Sequence, residues 1–161
     1  MLRRTLRAAV LLITLVLATQ MLVAMGWLRP VVVAGDSMSP AYASGEKLTI
    51  RRWAWPQRWD VVVLHSPTDT RRLIVKRVVG LPGERVRFRD GQVWINGAPA
   101  EPRNPDQDSG VFYGAMGNPE WRLAKDEWLV VGDNQPISID SRNWDHAAGV
   151  PTRLLVGVVA R

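Results

Sequence analysis

The chain has no cysteine in its 161 residues. That excludes a disulfide framework, a cysteine-based zinc site and a thiol nucleophile. Histidine is almost as rare, and neither His65 nor His146 belongs to a recognisable His–carboxylate arrangement. The sequence contains no HExxH, no glycine-rich phosphate loop with its lysine, and no paired-carboxylate signature. Asp106 and Asp108 fall in a loop-rich excursion and read as solvated side chains. No metal ion and no cofactor is expected. A serine nucleophile in this chain needs a base other than histidine. Lysine is a candidate, because desolvation disfavours its ammonium form. It too is scarce: only Lys47, Lys76 and Lys125 occur, and the rest of the 21 basic residues are arginine.

A formal charge of +6 and a pI near 10.7 raise the question of nucleic acid. The arginines are spread along the chain with no dense block after the N-terminus, and anionic lipid headgroups are a competing partner. The N-terminus favours the lipid. After Arg3, Arg4 and Arg7, no charged residue occurs from Ala8 to Leu28, a length that matches a membrane-crossing helix. The arginine bias predicts a cytoplasmic N-terminus, with Trp27 as an interfacial anchor. The competing reading is a cleaved secretory signal, for which Val32-Val33-Ala34 offers small residues. The apolar run is longer than such a segment needs, which favours a retained anchor over residues 1–29. Residues 30–161 are then an extracytoplasmic domain, and nucleic acid drops out as a partner.

Beyond Pro30 short β-rich runs recur between Gly, Pro, Asn and Asp: Lys47–Arg52, Asp60–Leu64, Leu73–Val79, Arg85–Arg89, Gln92–Ile95, Trp128–Val131 and Leu154–Ala160. The expected fold is mainly β, with antiparallel sheets in a barrel-like body behind one N-terminal helix. Asp90-Gly91 is a strong two-residue hairpin signal. It sets Phe88 opposite Val93 and Val86 opposite Ile95 on one face, with Arg87 and Trp94 on the other. Glu101 to Pro119 reads as a long surface excursion. The tract from Arg51 to Trp59, with Trp53, Trp55 and Trp59 among arginines, suits a headgroup layer or an ordinary strand edge and turn.

Three polar stretches compete for the chemistry. In Gly35-Asp36-Ser37-Met38-Ser39-Pro40, glycine and proline restrain a hydroxyl at the end of a short apolar run. Lys76 lies in Leu73–Gly80, where strand alternation sends Lys76 and Arg77 to opposite faces, one inward and one to water. The plainer reading is an exposed lysine on an edge strand. Gly132 to Arg142 leaves the apolar run Trp128–Val131 as a polar loop. There Asp140 and Arg142 can pair, and Ser138 can orient a neutral amine. Each stretch alone reads as turn and loop chemistry.

Together, and in this order, they resemble the boxes of the type I signal peptidases, membrane-anchored serine peptidases with a Ser–Lys dyad on a mostly β scaffold. Arg58-Trp59-Asp60-Val61-Val62-Val63 resembles the intervening box, with Trp59 where the family usually has glycine. The resemblance implies Ser37 as nucleophile, Lys76 as general base and Ser138 as the lysine's hydrogen-bond partner. Asp133, Asp140 and Arg142 match residues that shape the loop. Gly35 stands at the second oxyanion position and offers only a backbone donor. Val33 and Val75 match the pocket for a small residue. Lysine rather than histidine at position 76 is similar to the bacterial and mitochondrial-type enzymes. Tyr42 departs from the family pattern and can narrow the pocket, and Asp145–Gly149 is a second departure.

The implied function is removal of signal peptides from exported preproteins at the cell membrane, with cleavage after a small residue. Alternatives are a peptidase dedicated to one precursor of pilin or conjugation type, and a catalytically silent membrane-anchored binding module. A DNA-binding repressor with a related peptidase domain is disfavoured, because the apolar segment occupies the place of a DNA-reading helix pair.

Overall fold

A computed structural model describes residues 2–101, 120–144 and 149–160. The expectations for Asp106, Asp108, the rest of 102–119, His146 and the departure at 145–148 lie outside the described residues.

The N-terminal apolar residues form one helix, α1 (Leu2–Ala24), with no proline or glycine to interrupt it. Thr14 and Thr19 donate their hydroxyls to the carbonyls of Val10 and Leu15 at 2.9 Å, so each polar group is satisfied within the helix. Arg4–Ala24 is long and apolar enough to cross a membrane, with a mean hydropathy of 2.1, and none of it is buried against the protein. The helix ends earlier than the uncharged stretch does. Gly26 takes the left-handed conformation at φ 68°, which stops a helix readily, and Leu28 already belongs to a strand.

Beyond the helix the chain is almost wholly antiparallel β. The strands are β1 (Leu28–Val32), β2 (Lys47–Arg51), β3 (Val61–His65), β4 (Leu73–Gly80), β5 (Arg85–Arg89), β6 (Gln92–Ile95), β7 (Ala98–Pro99), β8 (Trp121–Arg122), β9 (Glu127–Val131), β10 (Val150–Pro151) and β11 (Leu155–Val159). They form a curled seven-stranded sheet in the order β1-β2-β11-β3-β4-β9-β10, and a four-stranded sheet in the order β7-β6-β5-β8. The β5–β6 hairpin has the expected register, with Val86 opposite Ile95 and Phe88 opposite Val93. Asp90 and Gly91 both take positive φ at its turn.

Alternation along the central strands divides the core. On β3, Val61 and Val63 join Val33, Met38, Leu48 and Ile50. Val62 and Leu64 point to the other face, with Trp128, Val130 and Val158. Both faces of β3 are covered, which is why four consecutive apolar residues suit it. A third cluster, including Val79, Phe88, Trp121 and Leu129, packs the small sheet onto the large one.

Trp59 belongs to that third cluster and is 3% exposed, so it is no part of a headgroup-facing tract. Its φ of 71° is a conformation glycine adopts without penalty. The indole is held by burial and by Nε1 donating to the Glu101 carbonyl at 2.9 Å. Trp53 and Trp55, by contrast, are exposed.

Candidate active site

Three connections bring the polar stretches together. Ser37 lies in the turn segment between β1 and β2, Lys76 is on β4, and Ser138 is on the loop that leaves β9. β4 is central in the sheet, flanked by β3 and β9, so it is not an edge strand; Lys76 pairs with Val62 of β3 and lies one residue before the pairing with β9 begins. Arg77 pairs with Val131 across the β4–β9 ladder, which starts the 132–142 loop beside Lys76.

Both Lys76 and Arg77 are buried, at 3% and 4% exposure. This corrects the expectation that one of them would reach water: a central strand covered on both faces leaves neither side chain a solvent side. Each is compensated separately. Arg77 donates Nε and Nη2 to the two carboxylate oxygens of Asp133 at 2.7 Å, and Nη1 to the Trp59 carbonyl at 2.9 Å. Among the described residues the hydrogen bond of Lys76 goes to a neutral partner, Nζ donating to Ser138 Oγ at 2.9 Å.

Ser138 Oγ donates in turn to Asp140 Oδ2 at 2.7 Å. Its single hydrogen is committed there, so towards Lys76 it can only accept. An uncharged amine held this way uses one N–H and keeps its lone pair for another proton. Asp140 is fully buried and also accepts from the Gly132 N–H at 2.9 Å and from Arg142 through Nε and Nη2 at 2.9 and 2.8 Å. Arg142 is fixed further by Nη1 donating to Gln135 Oε1 at 2.6 Å.

The electrostatics follow from this packing. Burial lowers the Lys76 pKa to about 8, against an opposing pull from the Asp140 charge and with a smaller push from Arg142. Burial alone would raise the Asp140 pKa, but the hydrogen bonds and charge of Arg142, with help from Gly132 and Ser138, hold it below the usual carboxylate value.

Ser37 is half-buried and is joined to the same loop through its backbone. Its carbonyl accepts from the Asn134 N–H at 3.0 Å, and the Asn134 side-chain amide donates to the Asp36 carbonyl at 3.1 Å. A Cβ on Gly132 would meet Ser138 Oγ and, at 2.5 Å, the Ser37 carbonyl oxygen, so both serines abut this one glycine. Among the described residues no hydrogen bond joins Ser37 to Lys76, and none uses the Ser37 N–H. Gly35 has φ 85° and donates its N–H to Ser44 Oγ at 3.2 Å. Val33 is buried in the cluster against which Tyr42 and Val75 pack. Gly132, Asn134 and Arg77 carry structural work that the sequence alone did not assign to them. Their signal was present in the same boxes, but as turn residues and a second basic side chain.

A cleft of about 210 Å³ opens beside this arrangement, with Val31, Val32 and Ala34 on one wall and Leu73, Ile74 and Val75 on the other. Both walls are strand edges. Among the described residues β1 pairs only with β2, and β4 pairs with β9 only from Arg77 onward, so no described strand pairs with Leu73–Val75 on that side.

Comparison with known proteins gives this arrangement its context. The family profile "Signal peptidase, peptidase S26" matches residues 3–161. Signal peptidase I V of Bacillus subtilis is 31% identical over 142 residues, covering 80% of this chain and 81% of that protein. Signal peptidase I of Leptolyngbya laminosa is 31% identical over 137 residues, covering 78% of this chain and 63% of that protein. Among solved structures, a signal peptidase I from Enterococcus faecalis superposes with a TM-score of 0.53 at 26% identity, covering 66% of this chain and 98% of that one. With a profile match over nearly its whole length, the chain belongs to the peptidase S26 family of signal peptidases.

Proposed function

We propose that the chain is a membrane-anchored serine peptidase that removes signal peptides from exported preproteins, with Ser37 as nucleophile and neutral Lys76 as general base. The observation that carries this reading is the buried Lys76 amine, pKa about 8, bonded to a serine that can only accept from it. An amine of that pKa is partly neutral near pH 8 and can take a hydroxyl proton, which a solvated lysine does poorly.

A preprotein lies extended between the free edges of β1 and Leu73–Val75, its backbone adding to both. Its small residue before the scissile bond enters the pocket near Val33, Val75 and Tyr42. Substrate binding brings the Ser37 hydroxyl onto Lys76 Nζ, since catalytic hydrogen bonds commonly tighten only in the complex. As Oγ attacks the carbonyl carbon, its proton passes to Lys76. The oxyanion is met by the Ser37 N–H, which no hydrogen bond uses among the described residues, and the Gly35 N–H serves as the second donor by leaving Ser44 Oγ. Lys76 then returns the proton to the leaving amine, and water, activated by the same base, releases the acyl group. Asp133, through Arg77, and Asp140, through Ser138 and Arg142, hold the loop in register.

The anchor is α1, with the arginine-rich N-terminus on the cytoplasmic side and the β domain outside. Exposed Trp27 and Trp53, whose rings lie 5.9 Å apart, and exposed Trp55 seat the domain on the bilayer.

Cleavage of a purified preprotein by the full chain in detergent tests the dyad. Ser37→Ala and Lys76→Ala each lower cleavage by orders of magnitude, and Lys76→Arg fails as well because guanidinium stays charged. Robust cleavage by any of the three contradicts the assignment.

A further inference from the structure

The cleft extends past the small-residue pocket and ends at a charge. Arg29 lines it together with Val31 on the β1 wall. In the β1–β2 ladder Arg29 stands opposite Ile50 and Val31 opposite Leu48, and both partners are buried in the cluster that contains Val33. Arg29 and Val31 therefore share one face of β1, and Val33 continues the alternation. Pro30 sits between them on a strand that, among the described residues, has no neighbour on its outer side, where a missing N–H is tolerated. Arg29 is exposed and, among the described residues, its guanidinium has no ion pair and no hydrogen bond.

We propose that Arg29 is a specificity-determining residue, reading a carboxylate or other acceptor side chain on the substrate five residues before the scissile bond. This rests on the peptidase reading above. An extended substrate running parallel to β1 has the same two-residue alternation and nearly the same rise. With the residue before the bond at Val33, the residue third before it meets Val31 and the fifth before it meets Arg29. A guanidinium there attracts an acidic side chain and repels a lysine. The cleft mouth is open to solvent, so the effect is modest, a factor of about two to ten between acidic and basic substrates, and it weakens with salt.

The test uses the full chain in non-ionic detergent and one preprotein carrying Asp, Gln or Lys at the fifth position before the bond. The ratio of kcat/KM values is read within one enzyme preparation, so any loss of folded protein cancels. The native chain processes the three in the order Asp, Gln, Lys, and the spread contracts between about 50 and about 500 mM NaCl. Arg29→Glu reverses the order. Equal processing of all three by the native chain overturns the inference and leaves the peptidase reading standing. No cleavage of any version overturns both. An order that survives Arg29→Glu, or a variant that changes only binding to anionic vesicles, assigns Arg29 to another role and overturns the inference.

Discussion

At Lys76 one buried amine faces opposing influences. Burial drives its pKa down and the Asp140 charge holds it up, with the balance at about 8. If the neutral form is the base, the logarithm of kcat/KM rises with pH, with unit slope below pH 8 and a plateau above it, and about a tenth of the molecules are competent at pH 7. Stability carries the same sign. The folded pKa lies below the unfolded value, so between about 8 and 10.4 the unfolded chain binds more protons and stability increases with pH. Asp140 has the same sign in a lower pH window: its contribution is present at neutral pH and is lost as pH falls through its depressed folded pKa. Replacing Asp140 with Ala leaves the buried Arg142 guanidinium without its carboxylate, and urea unfolding should show a loss of about 3–5 kcal/mol. A loss below about 1 kcal/mol would mean that the pair contributes little to the loop. Of these residues, Ser37, Lys76, Ser138, Asp140 and Arg142 lay in polar stretches beside apolar runs that each also read as plain turn, loop or strand-edge chemistry. It was the resemblance to the type I signal peptidases that singled them out, together with Asp133. The burial of Arg77 was not legible, since it depends on β4 being covered on both faces, a property of strand order.

Among the elements, the β4–β9 ladder does most to assemble the site. It delivers Gly132 next to Lys76, and both serines abut the space a side chain would fill there. Gly132→Ala must displace backbone at Ser37 or the Ser138 side chain. Its kcat/KM should fall at least about tenfold, while the cost in stability stays in the range of about 1–3 kcal/mol expected for overpacking. Undiminished cleavage by that variant would show that the loop yields without consequence. The seven strand-like runs appear as strands within a residue or so at each end, and the β5–β6 register was legible because Asp90-Gly91 and alternating apolar residues specify it jointly. β1 was hidden: Leu28 continues the apolar run of the anchor, Pro30 argues against a strand, and only pairing with β2 makes the segment extended. The two-residue strands β7, β8 and β10 are too short to have a period.

For the molecule as a whole, an unburied apolar helix leads within a few residues into a β domain that keeps Trp27, Trp53 and Trp55 exposed. If these side chains rest in the headgroup layer, Trp53→Ala with Trp55→Ala lowers the affinity of the β domain, freed of α1, for anionic liposomes, while unchanged binding rules out lipid docking by this surface. Composition pointed to this surface but placed Trp59 in it, because sequence does not reveal which ring of a tryptophan-rich tract turns into the core. On the reading proposed above, anchor, sheets and polar loop serve a single chemical step, the activation of Ser37 by an amine whose pKa is lowered by burial. The rate at which a serine-reactive acylating probe labels Ser37, followed by mass spectrometry as a function of pH, reads that step without a preprotein. Labelling should rise through an apparent pKa of about 8 and be absent in Lys76→Ala. Labelling that is independent of pH from about 6 to about 10, a window spanning the shifted and ordinary lysine values, or that persists without Lys76, would contradict it.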